Sequence, residues 1–253
     1  MTRLAAHFDR EAADYPTDLG EDFVQNRKWA LVESAAPARG VAADIGSASG
    51  RHAVKLANRD VDVVAIDPSR EMLTQLRQRG EDADLTTHIL PCAAALPTLP
   101  FAPKSFDLVY CFSTLLLLPA EEQERALQDM RDLLKPGASL IVDIAGARSI
   151  AIRYWRRYYR KRGFAGVFGQ TAKNVRAMIA RCDLELVAME PYGVLSQFLL
   201  FPGATRLPGA VRRIHGRNTE PGWDACLSRG LSGLAERWYV VARRPDQDNG
   251  EPR

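Results

Sequence analysis

The chain has 253 residues, 46% of them hydrophobic and 26% charged, a balance that excludes a disordered or collagen-like chain and allows one large core with additions. A formal net charge of +3 is too mild to mark a nucleic-acid binder by composition, although arginine (28) far outnumbers lysine (6). Four cysteines without C-x-x-C spacing or neighbouring histidines predict neither disulfides nor zinc in a reduced cytoplasm, and the longest aliphatic run, Leu115 to Leu118, stops at Pro119, far short of a membrane span.

Apolar runs then alternate with helical patterns, which predicts an α/β fold with crossover helices. A helix over Glu21 to Ala35 leads to a strand at Val41 to Ile45, a helix at Arg51 to Asn58, and a strand at Val61 to Ile66. Ser69 is the expected N-cap of a helix running to Arg79, with Gly80 as its stop. Strands follow at Thr87 to Leu90, Phe106 to Phe112 and Ser139 to Ile144, with a helix at Ala120 to Leu134 before the last of these. A helix at Thr171 to Arg181 then separates them from strands at Leu184 to Glu190 and Arg237 to Arg243. The polar tail, 245–253, has no apolar anchor and is expected to be disordered.

Two stretches exceed this alternation. Ser149 to Phe168 contains RYWRRYYRKRG, with six basic residues from Arg153 to Arg162, no acid, and four aromatics between them. Helical spacing brings Tyr154 to Tyr158 and Trp155 to Tyr159, predicting one aromatic face with arginines over the remainder. Such a helix suits a pocket cover, a peripheral membrane or lipid contact through residues 153–162, or, less well, nucleic acid. The second stretch, Gly193 to Glu236, carries Phe198, Phe201, Leu207, His215 and Trp223, an apolar mix able to wall a pocket for a hydrophobic acceptor or to form a helical pair that supports the sheet edge or a dimer contact.

The richest local pattern is VAADIGSASG, Val41 to Gly50, followed 21 residues after Gly46 by Asp67 at the end of VDVVAID. A strand opening into a glycine turn and helix, then a second strand ending in a carboxylate, is the layout of a nucleotide-type cofactor site. Glycines at Gly46 and Gly50 let the backbone turn sharply, and Asp67 is placed to accept ribose hydroxyls. The spacing is D-x-G-x-x-x-G rather than the dinucleotide G-x-G-x-x-G. Asp44 at the strand end would repel a pyrophosphate but suit an ammonium group, which favours S-adenosylmethionine over a nicotinamide dinucleotide.

Asp44-Ile-Gly46-Ser-Ala-Ser-Gly50 resembles the first motif of class I S-adenosylmethionine-dependent methyltransferases, and Asp67-Pro68-Ser69 with Met72-Leu73 resembles their second. Cys92-Ala93 with Leu96-Pro97 and Phe101, then Ser105 to Val109 and Leu134-Lys135-Pro136-Gly137, are similar to later segments in the family's order. His7-Phe8-Asp9-Arg10 through Tyr15 is similar to the amino-terminal F-D-x-x-A-x-x-Y of the small-molecule branch. The resemblance implies a Rossmann-like doubly wound sheet of seven strands, mostly parallel, with the last strand antiparallel between the fifth and sixth. Helices would cover both faces, with helical substrate-cap additions. It divides the chain into amino-terminal cap helices (1–36), a cofactor-binding core (37–146), a carboxy-terminal half of the same domain with cap insertions (147–244) and the tail.

The resemblance also implies cofactor contacts from Tyr15, Asp44, Gly46, Ser47, Ala48, Gly50, Asp67, Pro68, Met72, Cys92, Ala93 and Phe112, with S-adenosylhomocysteine as product and no metal. Cys92 stands where the family commonly has an acid toward the adenine, and Leu116-Leu117 where the branch often has a histidine pair. No catalytic residue is assigned. His7, His215 and Tyr192, and after them His52 and His88, are the titratable groups to examine as a base. The expected activity is methyl transfer by in-line displacement to an O, N or C atom of a small, hydrophobic metabolite. The alternatives are a non-catalytic or accessory S-adenosylmethionine binder and, further off, a nicotinamide-dependent oxidoreductase.

Overall fold

The computed structural model describes residues 3–15, 23–195 and 222–246. Helices α1 (Arg3–Glu11) and α2 (Phe23–Ala35) precede the alternating series β1 (Val41–Ile45), α3 (Arg51–Ala57), β2 (Asp62–Ile66), α4 (Arg70–Asp82) and β3 (Ile89–Cys92). The chain continues through β4 (Phe106–Cys111), α5 (Ala120–Leu133), β5 (Leu134–Ala145), α6 (Ile150–Lys161), α7 (Ala172–Arg181), β6 (Glu185–Tyr192), α8 (Gly222–Gly230) and β7 (Arg237–Arg243).

The seven strands form one sheet in the order β3-β2-β1-β4-β5-β7-β6. Strands β1 to β5 are parallel, and β7 runs antiparallel between β5 and β6. The expected topology is therefore present. Parallel strands covered on both faces must be apolar on both faces. Ala43, Ile45, Val109 and Cys111 point to the side packed by α5 and α7, while Ala42, Leu108 and Tyr110 point to the side packed by α2, α3 and α4. The order reverses between β1 and β4, and the strand carboxyl ends there open the crevice in which open α/β sheets bind ligands.

Three local expectations are corrected. Gly80 does not stop α4, which runs on to Asp82, because the glycine is buried inside the helix with only Ile89 Cδ1 facing it. Strand β3 sits two residues later than expected; at the sheet edge Pro91 needs no amide on its outer side, so the ladder reaches Cys92. Strand β5 begins at Leu134, five residues before the expected start at Ser139: buried Leu134 pairs with Phe106, and Lys135 Nζ bonds Asp107 at 2.8 Å.

The amino-terminal motif is explained by packing. Asp9 accepts a hydrogen bond from Ser69 Oγ at 2.7 Å, and Ser69 in turn caps α4 by accepting from the Met72 amide. Asp9 thus ties α1 to the start of α4. No helix among the described residues is long and apolar enough to cross a membrane.

Candidate functional site

A cavity of about 440 Å³ opens at the carboxyl ends of β1, β2 and β4 and has two chemically different halves. One half is lined by Gly46, Ala48, Asp67, Pro68, Met72 and Tyr15. The other is lined by Val24, Leu116, Leu117, Trp155 and Tyr159, and ends in Lys28, Ser113, Glu236 and Arg237. Phe112 lies in the same wall.

The loop after β1 is held by its own bonds. The amides of Gly46 and Ser47 both donate to Ile66 O, the Ala48 amide donates to Asp67 Oδ2 at 2.9 Å, and the Gly50 amide donates to Ser47 O. These four donors are therefore directed at the protein, and they fix the loop before the first turn of α3. The Ser47 and Ser49 hydroxyls, both buried in this loop, have no hydrogen-bond partner among the described residues.

Gly46 and Gly50 are required for different reasons. Gly46 has φ +74°, and a Cβ there would stand 2.0 Å from Thr114 Oγ1. Gly50 has φ +80°, and its Cβ would stand 1.7 Å from Leu76 Cδ1, so this glycine permits α3 to pack on α4.

Asp67 is 7% exposed and its carboxylate is partly committed: Oδ1 accepts from the Ser69 amide at 2.9 Å while Oδ2 holds Ala48. Burial raises its pKa, and the two amides oppose that rise. A carboxylate offers about four lone-pair directions, so two remain toward the cavity. Tyr15 also faces this half, its phenol raised by burial.

Of the expected cofactor residues, the cavity wall brings together Tyr15, Gly46, Ala48, Asp67, Pro68, Met72 and Phe112, and not Asp44, Ser47, Gly50, Cys92 or Ala93. Asp44 is 4% exposed beside Tyr110, and burial pushes its carboxyl up to about 8, with the Tyr110 hydroxyl, the Ala53 amide and Lys28 opposing the rise. Cys92 ends β3, where its carbonyl accepts from the Asp67 amide and its thiol is raised by burial.

None of the expected bases that are described reaches the cavity. His7 packs among Phe8, Tyr159 and Phe164, its pKa lowered by burial. Tyr192 donates to Phe23 O at 3.1 Å, His52 is buried against Phe112 and pushed down to about 3, and His88 pairs with Asp62. His215, Phe198, Phe201 and Leu207 lie outside the described residues, and Trp223 is exposed.

Sequence reasoning missed the ionic end of the cavity. Lys28, on α2, donates to Ser113 Oγ at 2.9 Å and lies 3.5 Å from Asp143 on β5. Asp143 also lies 3.6 Å from Arg237, and Arg237 Nε lies 3.8 Å from Glu236 Oε1. Glu236 is 6% exposed and pushed up to about 7 by burial, with Asp143 and Asp224 adding to the rise and Arg237 and Lys28 opposing it. Four ionisable groups from three distant stretches meet here, so no spacing in the sequence could have announced them.

The aromatic helix carries the expected pairs, Tyr154 with Tyr158 and Trp155 with Tyr159, in one continuous cluster of rings. Trp155 and Tyr159 form its cavity side, and Tyr154 its exposed side.

Residues 42–137 match the family model described as a methyltransferase domain. Over 228 residues the chain is 31% identical to a demethylmenaquinone methyltransferase of Paenarthrobacter aurescens, the alignment covering 84% of each protein. The chain belongs to the class I S-adenosylmethionine-dependent methyltransferases. A second relative, the demethylmenaquinone methyltransferase of Renibacterium salmoninarum, is 33% identical over 146 residues, which are 55% of this chain and 57% of that protein, so the chain spans little more than half of it. Among solved structures, the [4+2]-cyclase SpnF superposes with a TM-score of 0.67 at 17% identity, covering 96% of this chain and 93% of that one, a likeness of fold. Membership of this family makes S-adenosylmethionine the cofactor. Its expected place is the half of the cavity around Asp67, where a carboxylate with two lone-pair directions still uncommitted fits it.

Proposed function

We propose that the protein transfers the methyl group of S-adenosylmethionine to an O, N or C atom of a small acceptor with a largely hydrophobic body and a polar end. The observation that carries this reading is one continuous cavity in which the Asp67 half meets an apolar wall of Leu116, Leu117, Trp155 and Tyr159 that ends in Lys28, Glu236 and Arg237. When bound, the sulfonium supplies an already activated methyl, so the residues need chiefly to align the acceptor and exclude water.

In this reading Asp67 accepts the ribose hydroxyls, Met72 packs on the nucleoside and Tyr15 covers it. Leu116 and Leu117, standing where a polar pair would otherwise sit, keep the transfer path apolar. Lys28 and Arg237 hold an acceptor oxygen at the polar end, and Glu236 takes the proton of an acceptor that must lose one; a carboxyl near neutrality is matched to that task.

The names of both relatives give demethylmenaquinone as what those proteins methylate, which makes a quinone-class ring the first acceptor to try. The test is titration with S-adenosylhomocysteine followed by transfer of labelled methyl from S-adenosylmethionine to a panel led by demethylmenaquinone. Binding and labelled product are expected. Binding with no product from any acceptor would instead support an accessory or non-methylating member of the fold, and absence of binding would refute the cofactor assignment.

A further inference from the structure

We propose that α6 is an interfacial helix that seats the protein on an anionic phospholipid surface. Its inward row, Ile152, Trp155 and Tyr159, is taken up by the cavity and the small core beneath it. Its outward face has two stripes. Arg153, Arg156, Arg157, Arg160 and Lys161 recur at helical spacing and line a surface groove of about 490 Å³. Beside them runs an exposed apolar row in which Ile150 is 49% and Tyr154 43% accessible.

Cations next to exposed aromatic and aliphatic groups on one face are what a helix lying in a lipid headgroup layer requires: the charges meet phosphates while the apolar row enters the acyl boundary. None of the five cations is in an ion pair among the described residues. Among them, Arg156 Nε donates to the Val167 carbonyl at 3.2 Å. Six positive charges lie between Arg153 and Arg162 in a chain of formal charge +3, which leaves the rest of the chain at net −3. The helix therefore concentrates positive charge in one short stretch with no acid to offset it.

The same features argue against nucleic acid as the occupant. Single-stranded binding uses aromatic faces open to stacking. The Tyr158 ring is instead covered by the Arg162 guanidinium at 3.5 Å, and the exposed row includes an isoleucine, which suits lipid and offers no stacking face. A consequence follows for substrate access: the helix that touches lipid with one face walls the acceptor half with the other, so a hydrophobic acceptor would enter from the surface on which it partitions. That consequence rests on the proposed reaction, but the docking does not.

The experiment is flotation of the full chain with vesicles of phosphatidylcholine alone and of phosphatidylcholine with phosphatidylglycerol at roughly two to one. Binding is expected only to the anionic vesicles and should fall steeply as salt is raised to about 0.5 M. The double variant Arg153→Glu with Arg157→Glu should reduce partitioning by about tenfold or more. Ile150→Ser with Tyr154→Ser should reduce it by a smaller factor. Unchanged S-adenosylhomocysteine affinity in both variants checks that the fold is intact and keeps a failure of docking separate from a failure of the cofactor assignment. No flotation of the wild-type chain, equal binding to neutral vesicles, undiminished binding of the double arginine variant, or preferential capture of a single-stranded oligonucleotide over anionic vesicles would each overturn the proposal.

Discussion

The half of the cavity around Asp67 is made by three strand ends whose loops bond to one another, whereas the half around Glu236 is assembled from side chains on α2, α6, β7 and the segment after β4. In the first, the Gly46 and Ser47 amides close on Ile66 and Asp67 ties Ala48 to Ser69, so main-chain geometry is fixed before any ligand arrives. In the second, shape depends on packed rings and on an ionic group, Lys28 with Asp143, Arg237 and Glu236, that is costly to bury and stable only while mutually compensated. A rigid half of this kind suits a constant cofactor, and a side-chain half can change acceptor without disturbing the backbone.

Gly46→Val is the strongest way to break the first half. The added Cβ meets Thr114 Oγ1 at 2.0 Å, and a branched residue must adopt φ +74°. The steric cause is Thr114 rather than the cofactor itself. We expect loss of S-adenosylhomocysteine binding by calorimetry and a destabilisation of about 2 to 4 kcal/mol in urea unfolding. Retained binding would show that the loop is not the cofactor wall.

Glu236→Gln tests whether the second half acts separately. Turnover of an acceptor that loses a proton should fall by about 10²-fold, with S-adenosylhomocysteine affinity unchanged. Stability provides an independent reading. Burial raises the carboxyl to about 7, so the folded chain keeps a proton that the unfolded chain releases near its ordinary value. The wild type therefore loses stability as pH rises from about 4.5 to about 7, and the amide variant does not. The variant should gain on the wild type across that window, on the order of 3 kcal/mol at its upper end, and the two should match near its lower end. A constant difference at all pH values would remove Glu236 from this role.

Asp67→Ala should weaken S-adenosylhomocysteine by roughly 1 to 3 kcal/mol. The alanine also releases Ala48 and Ser69, so Asp67→Asn is the sharper probe of the ribose contact: it retains one acceptor oxygen for those amides but lacks the charge. An affinity unchanged in both variants would reassign Asp67 to loop support alone.

This contrast also explains what could be read from the chain. Alternation of apolar runs with capped helices was enough for the sheet, because each strand between Val41 and Cys111 is a short apolar segment closed by a turn residue. The glycine loop and Asp67 were legible because their geometry is local, set within a few residues by positive φ and by bonds to the next strand end. Lys28, Asp143 and Glu236 were not, since their meaning arises only when α2 is laid across β5 and β7. Asp44 shows what spacing leaves open: its place in the motif suggests a charge-based role, whereas its burial beside Tyr110, which raises its pKa, arises only from the packed sheet. The aromatic helix and its ring pairs were legible from i to i+4 spacing, whereas which edge of that cluster meets the cavity depended on how α6 packs.

Gly80→Ala supplies the smallest effect and a control for the others. Gly80 lies within α4 at ordinary helical φ, and an added Cβ would have only Ile89 Cδ1 near it, at 3.7 Å, an ordinary van der Waals contact. Alanine reduces the conformational freedom of the unfolded chain and adds a small buried group, so a gain of about 0.5 to 1 kcal/mol is expected in urea unfolding. Cofactor affinity and turnover should not change, because α4 meets the cavity through Met72, two turns earlier. If this scaffold substitution altered S-adenosylhomocysteine binding, the losses seen at Gly46 and Asp67 could no longer be read as properties of the loop, and the separation between the two halves would have to be drawn elsewhere.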